Sequence, residues 1–318
     1  MSASIQPQLS PFALEVLEGL SAPQKKLSPR YFYDDLGSAL FEAITLLPEY
    51  GLTRAETRLL RTHAADIAWH AGCVGTVAEL GSGSGKKTKR VLELLGRRNA
   101  RLQYRPIDVS KAALTACERE LEMICEINPV CNDWLQGLRE VAHARRENEV
   151  LLLLFLGSSI GNLDRESLPR FLEDVRLHLQ PGDLFLLGAD LVKDVSRMIA
   201  AYDDPTGITT AFNLNLLGRI NRDLDADFDL RTFAHEVRWH AGERRIEMHL
   251  LSCRDQNVRL GAVNTILRFV EGETIWTESS HKFTCGELDD YARSSGFQVV
   301  ATWVDHEWPF AETLWRVE

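Results

Sequence analysis

Apolar positions along the chain recur at two different periods. Asp35 to Leu47 places Leu40, Phe41, Ile44 and Leu47 on one face at helical spacing. Pro48-Glu49-Tyr50-Gly51 ends that helix. A second helix is predicted over 53–72, with Thr53 and Glu56 spaced as a capping box. Val77, Ala78 and Leu80 then predict a strand. From there the two periods alternate: helix 87–95, strand 102–109, helix 110–127 with Ser110 as N-cap, a short strand or turn at 130–135, helix 137–146 and strand 149–157. The last of these, EVLLLLFLG, is a continuous apolar run, as expected for a parallel strand buried on both faces. Helix 167–179, a turn at Pro181-Gly182-Asp183 and strand 184–190 extend the series. Alternation of this kind predicts an α/β fold built on a parallel sheet.

The pattern changes after Asp194. Residues 195–224 look helical, and 232–282 look like a run of antiparallel strands, with RRIEMHLLS alternating in part. A helix over 286–295 and two strands, QVVATWVD and ETLWRV, close the chain. Residues 195 to about 283 therefore read as an insertion that packs with the N-terminal segment. Tyr33 and Tyr50 fall near helix termini, where each taken alone reads as a packing residue.

The stretch with the most chemistry is TVAELGSGSGKKT, Thr76 to Thr88. It reads as a strand, a glycine turn and a helix start, and Gly81, Gly83 and Gly85 let the backbone approach a ligand. GSGSG is neither the G-x-G-x-x-G of dinucleotide sites nor a P-loop ending in Lys-Ser/Thr. Two acids frame it: Glu79 before the loop and Asp108 at the tip of the next strand, where a carboxylate can accept from both ribose hydroxyls. A phosphate-free sulfonium ligand suits such carboxylates. GSSIGNLD follows the apolar strand at the carboxyl edge of the sheet, so Asn162 is either a turn residue or a ligand to something in the crevice.

Composition narrows the class. The 318 residues carry a formal net charge of −10, which argues against nucleic acid or an anionic membrane as partner. The first twenty residues lack the basic and apolar regions of a secretory signal, and no apolar run approaches membrane-spanning length. The six cysteines show no C-x-x-C pairing and are expected to be buried small apolar residues. A cytoplasmic, soluble, metal-free protein is expected, and a monomer.

Several segments, in order over nearly the whole chain, resemble one family, the histidine N-alpha-methyltransferases of ergothioneine biosynthesis. They are FYDDLGSALFEAITLLPEYGLTRAE, AELGSG with KKT, PIDVS, FLGSSIGNLD, LLGADLVKD, AYDDPTGITTAFNLNLL, RIEMHL and TESSHKF. The resemblance implies a Rossmann-like class I methyltransferase sheet with an inserted α+β substrate-binding domain. It divides the chain into 1–60 and 195–283 for the substrate, and 61–194 with 284–318 for the methyltransferase core. It implies S-adenosylmethionine as cofactor and the alpha-amine of L-histidine as acceptor, methylated three times to the betaine hercynine.

Carried over by motif, the resemblance implies cofactor contacts at Gly81, Lys87 and Asp108, an adenine contact at Asp133 and Trp134, and Tyr33 near the methionine end. It implies that Tyr50, Asn162 and Tyr202 hold the amino acid, and that Glu278 and Ser280 clamp the imidazole. Phe212 and Met248 form an apolar wall, and Gly157 offers its carbonyl to the amine. Tyr33 or Gly157 thereby joins the catalytic step, and the sequence does not choose which group carries the amine proton. One departure from the family pattern is visible: Gly51 stands where a second tyrosine often follows Pro-Glu. An N-methyltransferase for another aromatic amine, such as tryptophan, is the competing reading, and the polar pair at 278 and 280 argues against it.

Overall fold

The computed structural model describes residues 9–146 and 148–318, so the first eight of the twenty residues read for a secretory signal lie outside the described residues. The chain forms two compact units. The second comprises Thr45–Met198, Ala241–Arg245 and Ser280–Glu318; the first comprises the described part of Met1–Ile44 with Ile199–His240 and Ile246–Ser279. Residues 45–60, read from sequence with the substrate half, cluster with the second unit.

The second unit is built on an eight-stranded sheet. Its order runs Phe297–Asp305, Phe310–Val317, Leu184–Asp190, Val150–Phe155, Val74–Leu80 and Gln103–Asp108. The short strands Glu126–Ile127 and Val130–Cys131 both pair with Gln103–Asp108. Pairings from Leu184–Asp190 onward are parallel, and the last two strands of the chain join antiparallel. Leu151 to Phe155 are fully buried, as their apolar run requires. Leu151, Leu153 and Phe155 pack with Ala78, Leu80, Ile107, Leu187 and Trp315 in one core.

The first unit holds the sheet Lys25–Lys26, Thr274–His281, Arg245–Ser252 and Phe233–His240, with the separate hairpin Gln256–Leu260 and Thr265–Phe269. Phe228, Phe233 and Phe269 pack edge to face within it, with centroids 5.4–5.9 Å apart. The long helix Ile208–Leu224 follows Gly207 at φ +76°. Asp204 starts it by accepting from the N–H groups of Ile208 and Thr209 at 3.2 and 2.8 Å. Burial works against its charge, yet these N–H groups with the hydroxyl of Thr206 hold Asp204 below the usual carboxylate range.

Three local expectations are corrected. The helix expected from 53 begins at Gly51 and runs to Ala71, so Thr53 lies inside it and Glu56 is not a capping residue. The helix after Ser110 ends at Leu121, because Glu126–Ile127 is drawn off to pair with Gln103 and Tyr104. Cys73, Cys131 and Cys253 are exposed and only Cys117 is buried, so the thiols are not a core set. Ser110 does cap its helix, accepting from the Ala113 N–H at 3.2 Å.

Candidate active site

The glycine loop of the second unit leaves strand Val74–Leu80 with Gly81, Gly83 and Gly85 all at φ between +52° and +69°. Such values suit glycine and cost other residues. Gly81 and Ser82 donate N–H bonds to the Ile107 carbonyl at 2.8 and 3.3 Å, which ties the loop to the tip of the neighbouring strand. At that tip Asp108 accepts from the Gly83 N–H at 3.0 Å through one oxygen and from the Ser110 N–H at 2.9 Å through the other. Burial pushes its carboxyl up, opposed by those N–H bonds. Each oxygen has a further lone pair for a hydroxyl. A Cβ at Gly83 would meet nothing within 4 Å, and one at Gly81 would come within 3.4 Å of Trp134 Nε1. An open glycine backbone, a half-committed carboxylate and an indole edge fit a nucleoside with a vicinal diol. Asp133 caps the helix Trp134–Ala144 by accepting from the Gln136 N–H at 2.9 Å, which fixes Trp134 in the first turn.

Lys87 pairs with the buried Glu56, whose other oxygen accepts the Gly157 N–H. Gly157 at φ +75° and Ser158 at φ +57° turn the chain out of the central strand into the short helix Ser159–Asn162. Ser158 Oγ accepts from the Asp190 N–H at 2.9 Å, and a Cβ at Gly161 would lie 2.9 Å from the His281 carbonyl. Asn162 is thereby held at the end of a rigid turn. Tyr50 is buried as the residue before helix Gly51–Ala71. Gly51 has a physical reason of its own: a Cβ there would sit 2.1 Å from Trp308 Cε3. The indole occupies the space that a second tyrosine would need.

Ser280 Oγ accepts from Lys282 Nζ at 2.8 Å, and that ammonium also lies 2.9 Å from Asp190 Oδ2. Lys282 is fully buried. A lysine can only donate, so the Ser280 proton points away from it. Glu278 and Ser280 lie two residues apart on strand Thr274–His281, hence on one face.

In the first unit, Phe212 on helix Ile208–Leu224 stacks on Phe32 with centroids 4.4 Å apart and meets Tyr33 edge-on at 6.0 Å. Asn215 on the same helix donates to Asp34 Oδ1 at 2.8 Å, which anchors the Tyr33 segment. The Tyr202 carbonyl bonds His235 Nε2 at 2.8 Å, and His235 Nδ1 lies 2.9 Å from Asn213 Nδ2. Met248 is buried, and its carbonyl accepts from Thr277 Oγ1 at 3.0 Å. The second unit thus groups Gly81 with Asp108 and Trp134, and Lys87 with Gly157 through Glu56; the first brings Tyr33 to Phe212.

Glu312 and Lys282 escaped the sequence reading, and Glu56 was read there only as a helix cap. The signal for Glu56 was its spacing. It falls on the apolar face of its helix with Leu52, Ala55, Leu59 and Leu60, where a charge needs a buried partner.

Comparison with known proteins agrees with this architecture. Residues 12–317 match the family model described as "Histidine-specific methyltransferase, SAM-dependent". The chain is 41% identical over 305 residues to "Histidine N-alpha-methyltransferase" of Mycobacterium tuberculosis, covering 94% of this chain and 93% of that one. The protein of the same name from Mycolicibacterium smegmatis is 41% identical over 304 residues, with the same coverage of both chains. "Ergothioneine biosynthesis protein 1" of Neurospora crassa is 30% identical over 294 residues, 88% of this chain but 32% of that longer protein. The chain belongs to the family of histidine-specific, S-adenosylmethionine-dependent methyltransferases.

Proposed function

We propose that the chain methylates the alpha-amine of L-histidine three times in succession, giving hercynine for ergothioneine biosynthesis. The observation that carries this reading is the 41% identity, over 94% of the chain, to the histidine N-alpha-methyltransferase of M. tuberculosis. S-adenosylmethionine supplies a methyl group made electrophilic by its sulfonium. The chain's own residues bind and orient. Asp108 accepts from the ribose hydroxyls with its uncommitted lone pairs, and Gly81 lets the backbone approach. Trp134 and Asp133 flank the adenine. Lys87 and Tyr33 serve the methionine end.

In this reading Tyr50, Asn162 and Tyr202 hold the amino acid, and Phe212 and Met248 wall the pocket. Glu278 accepts one imidazole N–H. Ser280, whose oxygen already accepts from Lys282, turns its proton to the other ring nitrogen. An acceptor and a donor together fit a neutral imidazole, and an analogue without those groups would leave both unpaired. The Gly157 carbonyl accepts an amine N–H and so aims the nitrogen lone pair for in-line attack, and the proton that the amine sheds passes to solvent, oriented by Tyr33 or the Gly157 carbonyl. Positioning of this sort supplies most of what a methyl transfer needs. We also read the protein as a cytoplasmic monomer, and its net charge of −10 supports one that meets neither nucleic acid nor an anionic membrane.

The test is mass spectrometry of the protein incubated with S-adenosylmethionine and an equimolar mixture of the common amino acids. A product at histidine plus three methyl groups is expected. Methylation of another amino acid, or of none, overturns the reading.

A further inference from the structure

Lys87 belongs to a cluster of buried charge whose three acids the roles above do not use. Glu56 is fully buried on helix Gly51–Ala71, and its two oxygens engage Lys87 Nζ and the Gly157 N–H. Lys87 Nζ also lies 3.4 Å from where a Cβ on Gly157 would stand, so the three groups form one node. Glu312, from strand Phe310–Val317, sits opposite Gly188 in the antiparallel register. A Cβ on Gly188 would lie 2.6 Å from Glu56 Oε1 and 3.1 Å from Glu312 Oε1, so the two carboxyls converge over one glycine. Glu312 is fully buried, and neither of its oxygens has a hydrogen-bond partner among the described residues. Glu79 is buried nearby, accepting from Thr88 Oγ1 and Tyr104 Oη at 2.6 Å each.

Within this cluster Lys87 is the one cation set against three carboxyls, and its partner is Glu56. An unpaired buried carboxylate is too costly to persist and takes up a proton instead. We propose that Glu56 is a positioning residue for methyl transfer, holding the Lys87 ammonium and the Gly157 turn in a single arrangement, while Glu312 beside it carries a proton. This rests on the assignment of Lys87 to the cofactor and of Gly157 to the amine. Burial and the charge of Glu56 push Glu312 well above the carboxylate range, and Lys87 opposes them. The groups that face Glu312 are Glu56, Lys87 and Glu79. A carboxylate serves both anchors, whereas a glutamine there must turn its NH2 toward either Lys87 or the Gly157 N–H. Gly188 must lack a side chain for the two acids to meet.

The experiment uses the full chain with Glu56→Gln, Glu56→Asp and Glu312→Gln. It measures S-adenosylhomocysteine binding by calorimetry, and methyl-transfer kinetics across pH. Glu56→Gln should weaken S-adenosylhomocysteine by about tenfold or more and lower kcat, while the KM for histidine stays within about twofold. Glu56→Asp, which keeps the charge, should recover part of both. Glu312→Gln mimics the protonated acid; it should keep wild-type rates at neutral pH, and the alkaline decline expected of the wild type as Glu312 ionises should be absent from it. Glu56→Gln with unchanged binding and kcat overturns the positioning role. Glu312→Gln that is inactive at neutral pH, or that keeps the alkaline decline, overturns the protonated state. If the wild type leaves histidine unmethylated, the substrate reading fails, while the dependence of S-adenosylhomocysteine binding on Glu56 still decides this proposal.

Discussion

At the scale of single residues, the sharpest expectations separate substrate from cofactor. Glu278→Ala should raise the KM for histidine by about tenfold or more, because a buried N–H of the ring loses its acceptor. Cofactor affinity should stay the same, and calorimetry with S-adenosylhomocysteine checks that half. Equal losses in both would remove Glu278 from the imidazole. Gly51→Ala tests packing instead. A Cβ there would lie 2.1 Å from Trp308, so the substitution should cost about 1–3 kcal/mol, read as a lower denaturant midpoint. This explains a position that sequence could flag only as a departure from the family pattern. A glycine in sequence shows that a side chain is missing, while the ring that fills the space comes from 257 residues further on and only the fold brings it in. Glu56 was missed for a related reason. Thr-x-x-Glu is a local signal, and the buried partners that overrule it, Lys87 and Gly157, are distant in the chain.

At the scale of elements, period and turn chemistry were informative where local rules govern. The buried strand Val150–Phe155 follows from an apolar run, and the cap of Ser110 follows from residue type. The helix after Ser110 was overread because helix propensity continues past Leu121, whereas sheet pairing claims Glu126 and Ile127. Helix Cys285–Ser294 has a complete capping box, in which Thr284 Oγ1 accepts from the Glu287 N–H at 3.2 Å and Glu287 accepts from the Thr284 N–H at 2.9 Å. Glu287 also pairs with Arg165 and Arg244. Thr284→Ala should therefore cost about 1 kcal/mol in equilibrium unfolding. Methyl-transfer kinetics should be unchanged, since the helix serves the sheet and not the site.

At the scale of the whole molecule, stability should respond to pH from both sides. Arg58 grips Asp305 with two bonds of 2.7 and 2.8 Å and holds its carboxyl below the ordinary value. That contribution is present above the unfolded carboxylate value and is lost as pH falls through the folded one. Glu79 acts in the opposite sense. Burial pushes its carboxyl up to about 7 from an ordinary 4.5, although Thr88 and Tyr104 donate to it. Folded protein then holds that proton where unfolded chain has released it, so stability from this group declines between about pH 4.5 and 7. Thermal melts of wild type and Glu79→Gln across this range should show a slope in the first that is absent in the second.

The order of strands also has a consequence for how the protein is made. Phe310–Val317, made more than a hundred residues after Leu184–Asp190, is an interior strand, between Phe297–Asp305 and Leu184–Asp190. The first unit likewise waits for Ile246–Ser279. A growing chain therefore carries Leu184–Asp190 as an open edge of apolar sheet, for on the order of ten seconds at ordinary elongation rates. Exposed edges of this kind recruit other strands. The nascent protein is thus most exposed to misassociation during synthesis, and a stop just ahead of Phe310 would leave that edge open for good.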